Sequence, residues 1–158
     1  MNLFNRFFQK EKRIIGDVVD LAEEQVWEAD SSNDYVPSFF YGIYIHNGRQ
    51  RIGYCDLRVG HNRELYYAGN IGYHIYSPYR GNHYAYEACK MLFEIAKEKG
   101  MKWVIITCSP DNTASRKTIE RLDAEYLETV PVPSDHWLYR RGETIKHIYR
   151  RELQRHAV

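Results

Sequence analysis

The chain has no apolar run of membrane-spanning length, no excess of one charge and no paired-cysteine motif, and each absence removes a class of protein. A helix crossing a bilayer needs about 20 mostly apolar residues, and no segment approaches that. Met1–Phe8 lacks the uninterrupted apolar core of a secretory signal, so a cytoplasmic protein with no membrane partner is expected. The formal charge of +1, from 22 basic and 21 acidic residues, gives no reason to expect nucleic acid as a partner. A local basic cluster, Arg140, Arg141, Arg150, Arg151 and Arg155, reads as a solvated strand face. Cys55, Cys89 and Cys108 are odd in number and show no C-x-x-C spacing, which predicts free thiols in a reducing compartment. The histidines at 46, 61, 74, 83, 136, 147 and 156 show no ligand spacing, so no metal is expected. There is no Gly-x-x-x-x-Gly-Lys-Ser/Thr motif, which sets aside a nucleoside-triphosphate enzyme. No repeat, linker or low-complexity segment divides the 158 residues, and residues 1–158 are expected to form a single domain around one core.

What is present is a succession of periodic segments. Arg13 to about Asp30 offers an apolar stripe of Ile14, Ile15, Val18, Val19, Leu21, Ala22 and Val26 beside acidic residues, which predicts a helix. Phe39–His46 and Arg51–Val59 read as strands joined at Asn47-Gly48, a turn pair that tolerates positive φ. Gly60–Gly69 reads as a loop, and Asn70–Tyr76 as another strand. From Ala85 to Lys99 an amphipathic helix places Ala85, Ala88, Cys89, Leu92, Ile95 and Ala96 on one face, with Gly100 ending it. Trp103–Thr107 has the unbroken apolar character of a strand covered on both faces. A helix from Asn112 to Leu122 follows, then a strand over Glu125–Val130, a Pro-rich loop through Pro131 and Pro133, and a last strand from Thr144 to Leu153. Alternating strands and helices imply parallel pairing of the central strands.

The most informative stretch is Arg80-Gly81-Asn82-His83-Tyr84-Ala85, between a strand and a helix. Such a junction presents unpaired backbone N–H groups and the positive end of a helix, which is an anion site suited to phosphate. The pattern resembles the Arg-x-x-Gly-x-Gly/Ala pyrophosphate signature of the GNAT superfamily of N-acetyltransferases, with His83 in place of one glycine. Asn112-Thr113-Ala114-Ser115, followed by Leu122-Asp123-Ala124, resembles the start of that family's next helix. The resemblance implies a GNAT-like α/β (α+β) fold, a mixed and twisted central sheet flanked by helices, in which the strand before the anion loop splays from the next. Pantetheine would lie in the cleft between Tyr73–Tyr76 and Trp103–Thr107. It further implies acetyl-CoA as co-substrate and direct attack by a primary amine, either a small molecule or a peptide N-terminus. The family often carries a tyrosine seven positions after the Asn. Here that position is Ile119, with Ser at Asn-plus-three, which resembles the branch that acetylates ribosomal-protein N-termini.

Acetyl transfer needs a neutral amine, donors for the developing oxyanion and a proton for the leaving thiolate. Backbone N–H groups of Gly81, Asn82, His83, Tyr84 and Ala85 are expected around the pyrophosphate, with Arg80 adding charge. By resemblance, Asn112 would hydrogen-bond the pantetheine arm, Ser115 could reach the sulfur, and a backbone N–H near Ile75 or Tyr76 would hold the oxyanion. The general acid stays open between Ser115 and Tyr126. For the base, His74 is the first candidate, with Tyr76 on the same strand face, and Glu64, His136 or a water relay as alternatives. Glu23, Glu24, Glu28, Asp30 and Asp34 could draw a cationic amine but read more readily as a solvated helix face. A covalent acyl-Cys108 route has no histidine at a readable spacing. The competing reading is a CoA-binding or protein-interaction module that has lost catalysis, and edge strands near the C-terminus could pair two subunits as a homodimer.

Overall fold

The computed structural model describes residues 12–153. Met1–Phe8, Arg155 and His156, named in the sequence expectations, lie outside them. Strands β1 (Arg13–Ile14), β2 (Val19–Trp27), β3 (Ser38–Ile45), β4 (Arg51–Arg58) and β5 (Ile71–Ile75) form one sheet in that order. Strands β6 (Trp103–Cys108), β7 (Glu125–Pro131) and β8 (Ile145–Glu152) form a second, ordered β6-β8-β7. Helix α1 (Arg63–Ala68) precedes β5, α2 (Tyr84–Glu98) links the sheets, α3 (Thr113–Arg121) follows β6, and α4 (Trp137–Arg140) lies between β7 and β8.

The segment from Arg13 to Asp30 corrects the helix expected there: it is β1 and β2, paired antiparallel to each other and to β3. Its Ile and Val residues suit a pleated surface, and cross-strand pairing decides between the two readings. Asp20, fully buried in β2, holds the β3–β4 turn by accepting the Asn47 N–H at 2.9 Å and facing His46 Nδ1 at 3.2 Å, with the Arg13 guanidinium 3.9 Å away. That turn is longer than a tight hairpin, because the register shifts between Ile43 and Tyr44; Asn47 alone of its Asn-Gly pair adopts positive φ, at 58°. Three of the five acids are spent locally: Glu23 pairs with Lys12, Glu24 with Arg51, and Asp30 accepts from Ser32 and Asn33.

Helix α2 forms as its pattern predicts, burying Ala88, Cys89, Leu92, Phe93, Ile95 and Ala96 against Leu21, Tyr41, Ile43, Cys55 and Leu57 of the first sheet and Val104 and Ile106 of the second. Gly100, at φ 85°, follows its C-terminus. Two expected loops contain short helices. Asn62 caps α1 by accepting the Leu65 N–H, and His136 caps α4 by accepting the Leu138 N–H. The basic cluster is engaged: Arg150 pairs with Glu152 and lies over Trp103, while Arg151 donates to the Leu122 carbonyl.

The expected parallel pairing does not form; every ladder among the described residues is antiparallel. β5 and β6 meet only at their base, where the Asn70 N–H donates to the Ile105 carbonyl at 2.7 Å and the Asn70 side-chain oxygen accepts the Ile105 N–H at 2.8 Å. The Asn70 amide also donates to the Arg58 and Gly60 carbonyls at 2.9 and 2.7 Å. A fully buried side chain therefore closes the apex of a V-shaped opening between the sheets, with both amide donors and the side-chain oxygen engaged.

Candidate active site

The two walls of the opening follow from strand phase. Arg58 donates to the Asn70 carbonyl and Tyr76 to the Ile52 carbonyl, so alternate β5 residues bond to β4. The peptide groups of Ile71, Tyr73 and Ile75 consequently point the other way, into the cleft that β6 leaves unpaired. The Ile75 carbonyl is met by Arg80 Nε at 2.9 Å, and the Tyr76 N–H is committed to β4, so of the two oxyanion candidates only Ile75 turns its N–H to the cleft. Tyr73 offers a second cleft-facing N–H.

At the mouth, the Ser77–Tyr79 turn leads into the anion loop. Gly81 has φ 85° with open space where a Cβ would stand, and His83 is left-handed at φ 59° with no side-chain cap. This explains the glycine in the family signature: the position wants positive φ, which His adopts only at a cost of roughly 1 kcal/mol. No described residue supplies a backbone acceptor for the N–H groups of Gly81, Asn82, His83, Tyr84 or Ala85. They form a cradle of donors at the start of a four-turn helix. The His83 imidazole meets the end of α3, its Nε2 lying 3.5 Å from an Arg121 nitrogen.

Helix α3 lies along the cleft. Asn112 is its N-cap, accepting the Ser115 N–H at 3.1 Å. Ser115 Oγ lies 2.8 Å from the Tyr73 hydroxyl, a bond that crosses from α3 to β5. Burial, with the neighbouring Cys89 and Cys108 thiols adding to it, pushes the Tyr73 phenol well above its ordinary range, so it stays protonated. Tyr73, expected from the sequence only as part of a cleft wall, thus brings a hydroxyl to Ser115.

The other candidates fall elsewhere. His74 and Tyr76 occupy the sheet face opposite α2; His74 is exposed and stacks on Tyr54 at 5.3 Å, and the Tyr76 hydroxyl accepts from Arg51. Tyr126 sits on the edge strand β7, bonded to Thr129 and packed on Tyr149 and His147, with no contact to Ser115 or Tyr73. His136 and Glu64 do meet, but structurally: His136 is fully buried, its Nδ1 takes the Leu138 N–H, and the proton on Nε2 is given to the Glu64 carbonyl and carboxylate at 3.0 and 2.8 Å. With both nitrogens committed it is no free base. Burial raises the Cys108 thiol above its usual range and no hydrogen bond joins it to a histidine, which opposes an acyl-cysteine. Among the described residues, no three His, Cys, Asp or Glu side chains converge as a metal would require, and no helix is long and apolar enough to cross a membrane.

Splayed sheets, a donor cradle at the mouth and hydroxyls along one wall are the geometry of an acyl-CoA cleft. The profile of the acetyltransferase (GNAT) domain matches residues 2–125, and the chain belongs to that family. Among solved structures it is similar to RimL, the ribosomal L7/L12 α-N-protein acetyltransferase, with TM-score 0.62 and 13% identity over 91% of this chain and 96% of that one. It is also similar to the microcin C7 self-immunity acetyltransferase MccE in complex with acetyl-CoA and AMP, with TM-score 0.61 and 15% identity over 87% and 93% of the two chains. A third is the Salmonella typhimurium enzyme that modifies the N-terminal serine of ribosomal protein L7/L12, with TM-score 0.55 and 17% identity over 78% and 67%. Among curated protein sequences no match is found.

Proposed function

We propose that the protein is an acetyl-CoA-dependent N-acetyltransferase that passes the acetyl group directly to a primary amine, with a peptide N-terminus as the favoured acceptor. The observation that carries this is the continuity of the cleft: unpaired N–H groups of Gly81–Ala85 at its mouth, cleft-facing peptides of Ile71, Tyr73 and Ile75 along β5, and the Tyr73–Ser115 hydroxyl pair inside. In this reading the pyrophosphate takes the loop N–H groups with Arg80 and Asn82 beside them, and pantetheine adds to the open edge of β5 as a strand would.

The amine lone pair forms the C–N bond at the thioester carbon, and the carbonyl electrons move onto oxygen, held by cleft-facing N–H groups of Tyr73 or Ile75. Collapse breaks the C–S bond, the thiolate takes the Ser115 hydroxyl proton, and the serine oxygen regains a proton from solvent. Tyr73, kept protonated, donates to Ser115 Oγ and so turns the serine proton toward the cleft. The peptide acceptor is supported by the likeness to the enzymes acting on the N-terminus of ribosomal protein L7/L12, and the acetyl-CoA cleft by the likeness to MccE. The protein would work in the cytoplasm, as an enzyme drawing on acetyl-CoA, and edge strand β7 is exposed along its length and available for a homodimer.

The test is release of free thiol from acetyl-CoA with a short peptide bearing a free N-terminal serine, together with the mass gain of one acetyl group on that peptide. Acetylation supports the reading. Acetyl-CoA binding without turnover on any primary amine would favour the competing module that holds CoA without transferring from it.

A further inference from the structure

The inner side of the cleft is closed by α2 and α3, so an acceptor must come from the opposite face of the sheet. There, next to the cleft strand, stands Asp56 on β4. Its register partner on β5 is Gly72 and on β3 Phe40. A Cβ at Gly72 would fall 2.4 Å from Asp56 Oδ1, so the missing side chain is what lets this carboxylate oxygen lie over the strand between the cleft-facing peptides of Ile71 and Tyr73. The other oxygen, Oδ2, is held by Arg58 at 2.9 Å, and Arg58 in turn donates to the Gly69 carbonyl at 2.9 Å near the apex. Among the described residues, the one polar partner of this carboxylate is Arg58, on Oδ2. The carboxylate is thus fixed on one side and open on the other, and its side chain is only 19% exposed.

We propose that Asp56 receives the acceptor amine and takes its proton as the C–N bond forms, with Gly72 as the opening through which nitrogen reaches the thioester. This rests on the acetyl-transfer reading and names the base that reading left open. The proton leaves the attacking nitrogen for Oδ1 and passes to solvent, while the thiolate takes its proton from Ser115, which regains one from solvent, so protons and electrons balance. Burial beside Phe40 raises the Asp56 carboxyl above its usual range, with Arg58 as the charge that opposes the shift. The remaining groups on this face are further along it: His74 stacked on Tyr54, and the Arg51–Glu24 pair beside Tyr76. A less acidic carboxyl is the better proton acceptor.

The experiment compares wild type, Asp56→Asn and Gly72→Ala, with the N-terminal-serine peptide and n-butylamine as acceptors, measuring kcat/KM for the amine against pH and acetyl-CoA affinity by calorimetry. Asp56→Asn should lower kcat/KM by about 100-fold or more, the usual weight of a positioned base, with acetyl-CoA affinity unchanged. The acid limb of the wild-type profile should vanish. Gly72→Ala, which displaces the carboxylate, should act in the same direction. Wild-type turnover with Asp56→Asn equally active, or loss of acetyl-CoA affinity in step with activity, overturns the assignment alone. A wild type that binds acetyl-CoA yet turns over neither amine overturns the transferase reading and this one with it.

Discussion

Replacing Asn70 with Ala tests whether one side chain sets the cleft. The substitution removes three hydrogen bonds, those to the Ile105 N–H at 2.8 Å, the Gly60 carbonyl at 2.7 Å and the Arg58 carbonyl at 2.9 Å, in a residue with no exposure. A buried polar group left without its partner costs about 1–3 kcal/mol, and the orphaned amide N–H has no second route to satisfaction. With the two carbonyls at the low end of that range, the sum is about 3–5 kcal/mol, a large share of the roughly 5–15 kcal/mol that holds a domain together. Urea unfolding followed by circular dichroism measures it directly, with an unchanged m-value showing that the same surface is exposed. Asn70→Asp keeps the acceptor for Ile105 but aims a carboxylate at two carbonyls, and should be no better than Ala. A loss below about 1 kcal/mol for Asn70→Ala would mean that the apex is held by packing, and the reasoning fails.

Other outcomes follow from the same geometry. Ser115→Ala should lower kcat with little change in acetyl-CoA affinity; Tyr73→Phe should lower it less, and the double variant should cost no more than Ser115→Ala, whereas additive losses would show that the two hydroxyls act separately. His83→Gly should bind CoA at least as well as wild type, since glycine takes the positive φ freely and the cradle is backbone; a large loss of affinity would show that the imidazole, with Arg121, contacts the phosphates. Asp56→Asn should not lower stability at neutral pH. The raised folded-state pKa means that the carboxylate penalises the native state once pH exceeds its unfolded value, and the penalty is complete above its folded value; thermal melts across that window would show wild type losing stability relative to Asp56→Asn as pH rises.

The central elements were legible because their signals are local. The stripe of α2, the apolar run of β6 and the Arg80–Ala85 junction each encode one element within a few residues. What failed did so where distant pairing decides. Residues 13–30 carry an apolar pattern that a helix and a pair of strands satisfy alike, and only β3 alongside selects the strands. Helices α1 and α4 are too short for periodicity, although Asn62 and His136 mark their starts. Element order suggests parallel pairing but says nothing of Asn70 ending the contact after one residue. For the site, the cradle is readable as a motif, while the roles proposed for Tyr73, Asp56 and Gly72 rest on neighbours on other strands or helices. His136 and Tyr126 looked chemically able, but their hydrogen bonds are already committed.

Calorimetric titration of the purified protein with acetyl-CoA tests the central claim most directly, because every assignment in the cleft depends on it. The account predicts one site per chain with a dissociation constant in the micromolar range, about −8 kcal/mol, weakened by Arg80→Ala. No heat of binding at millimolar acetyl-CoA, from protein shown to be folded, would contradict it.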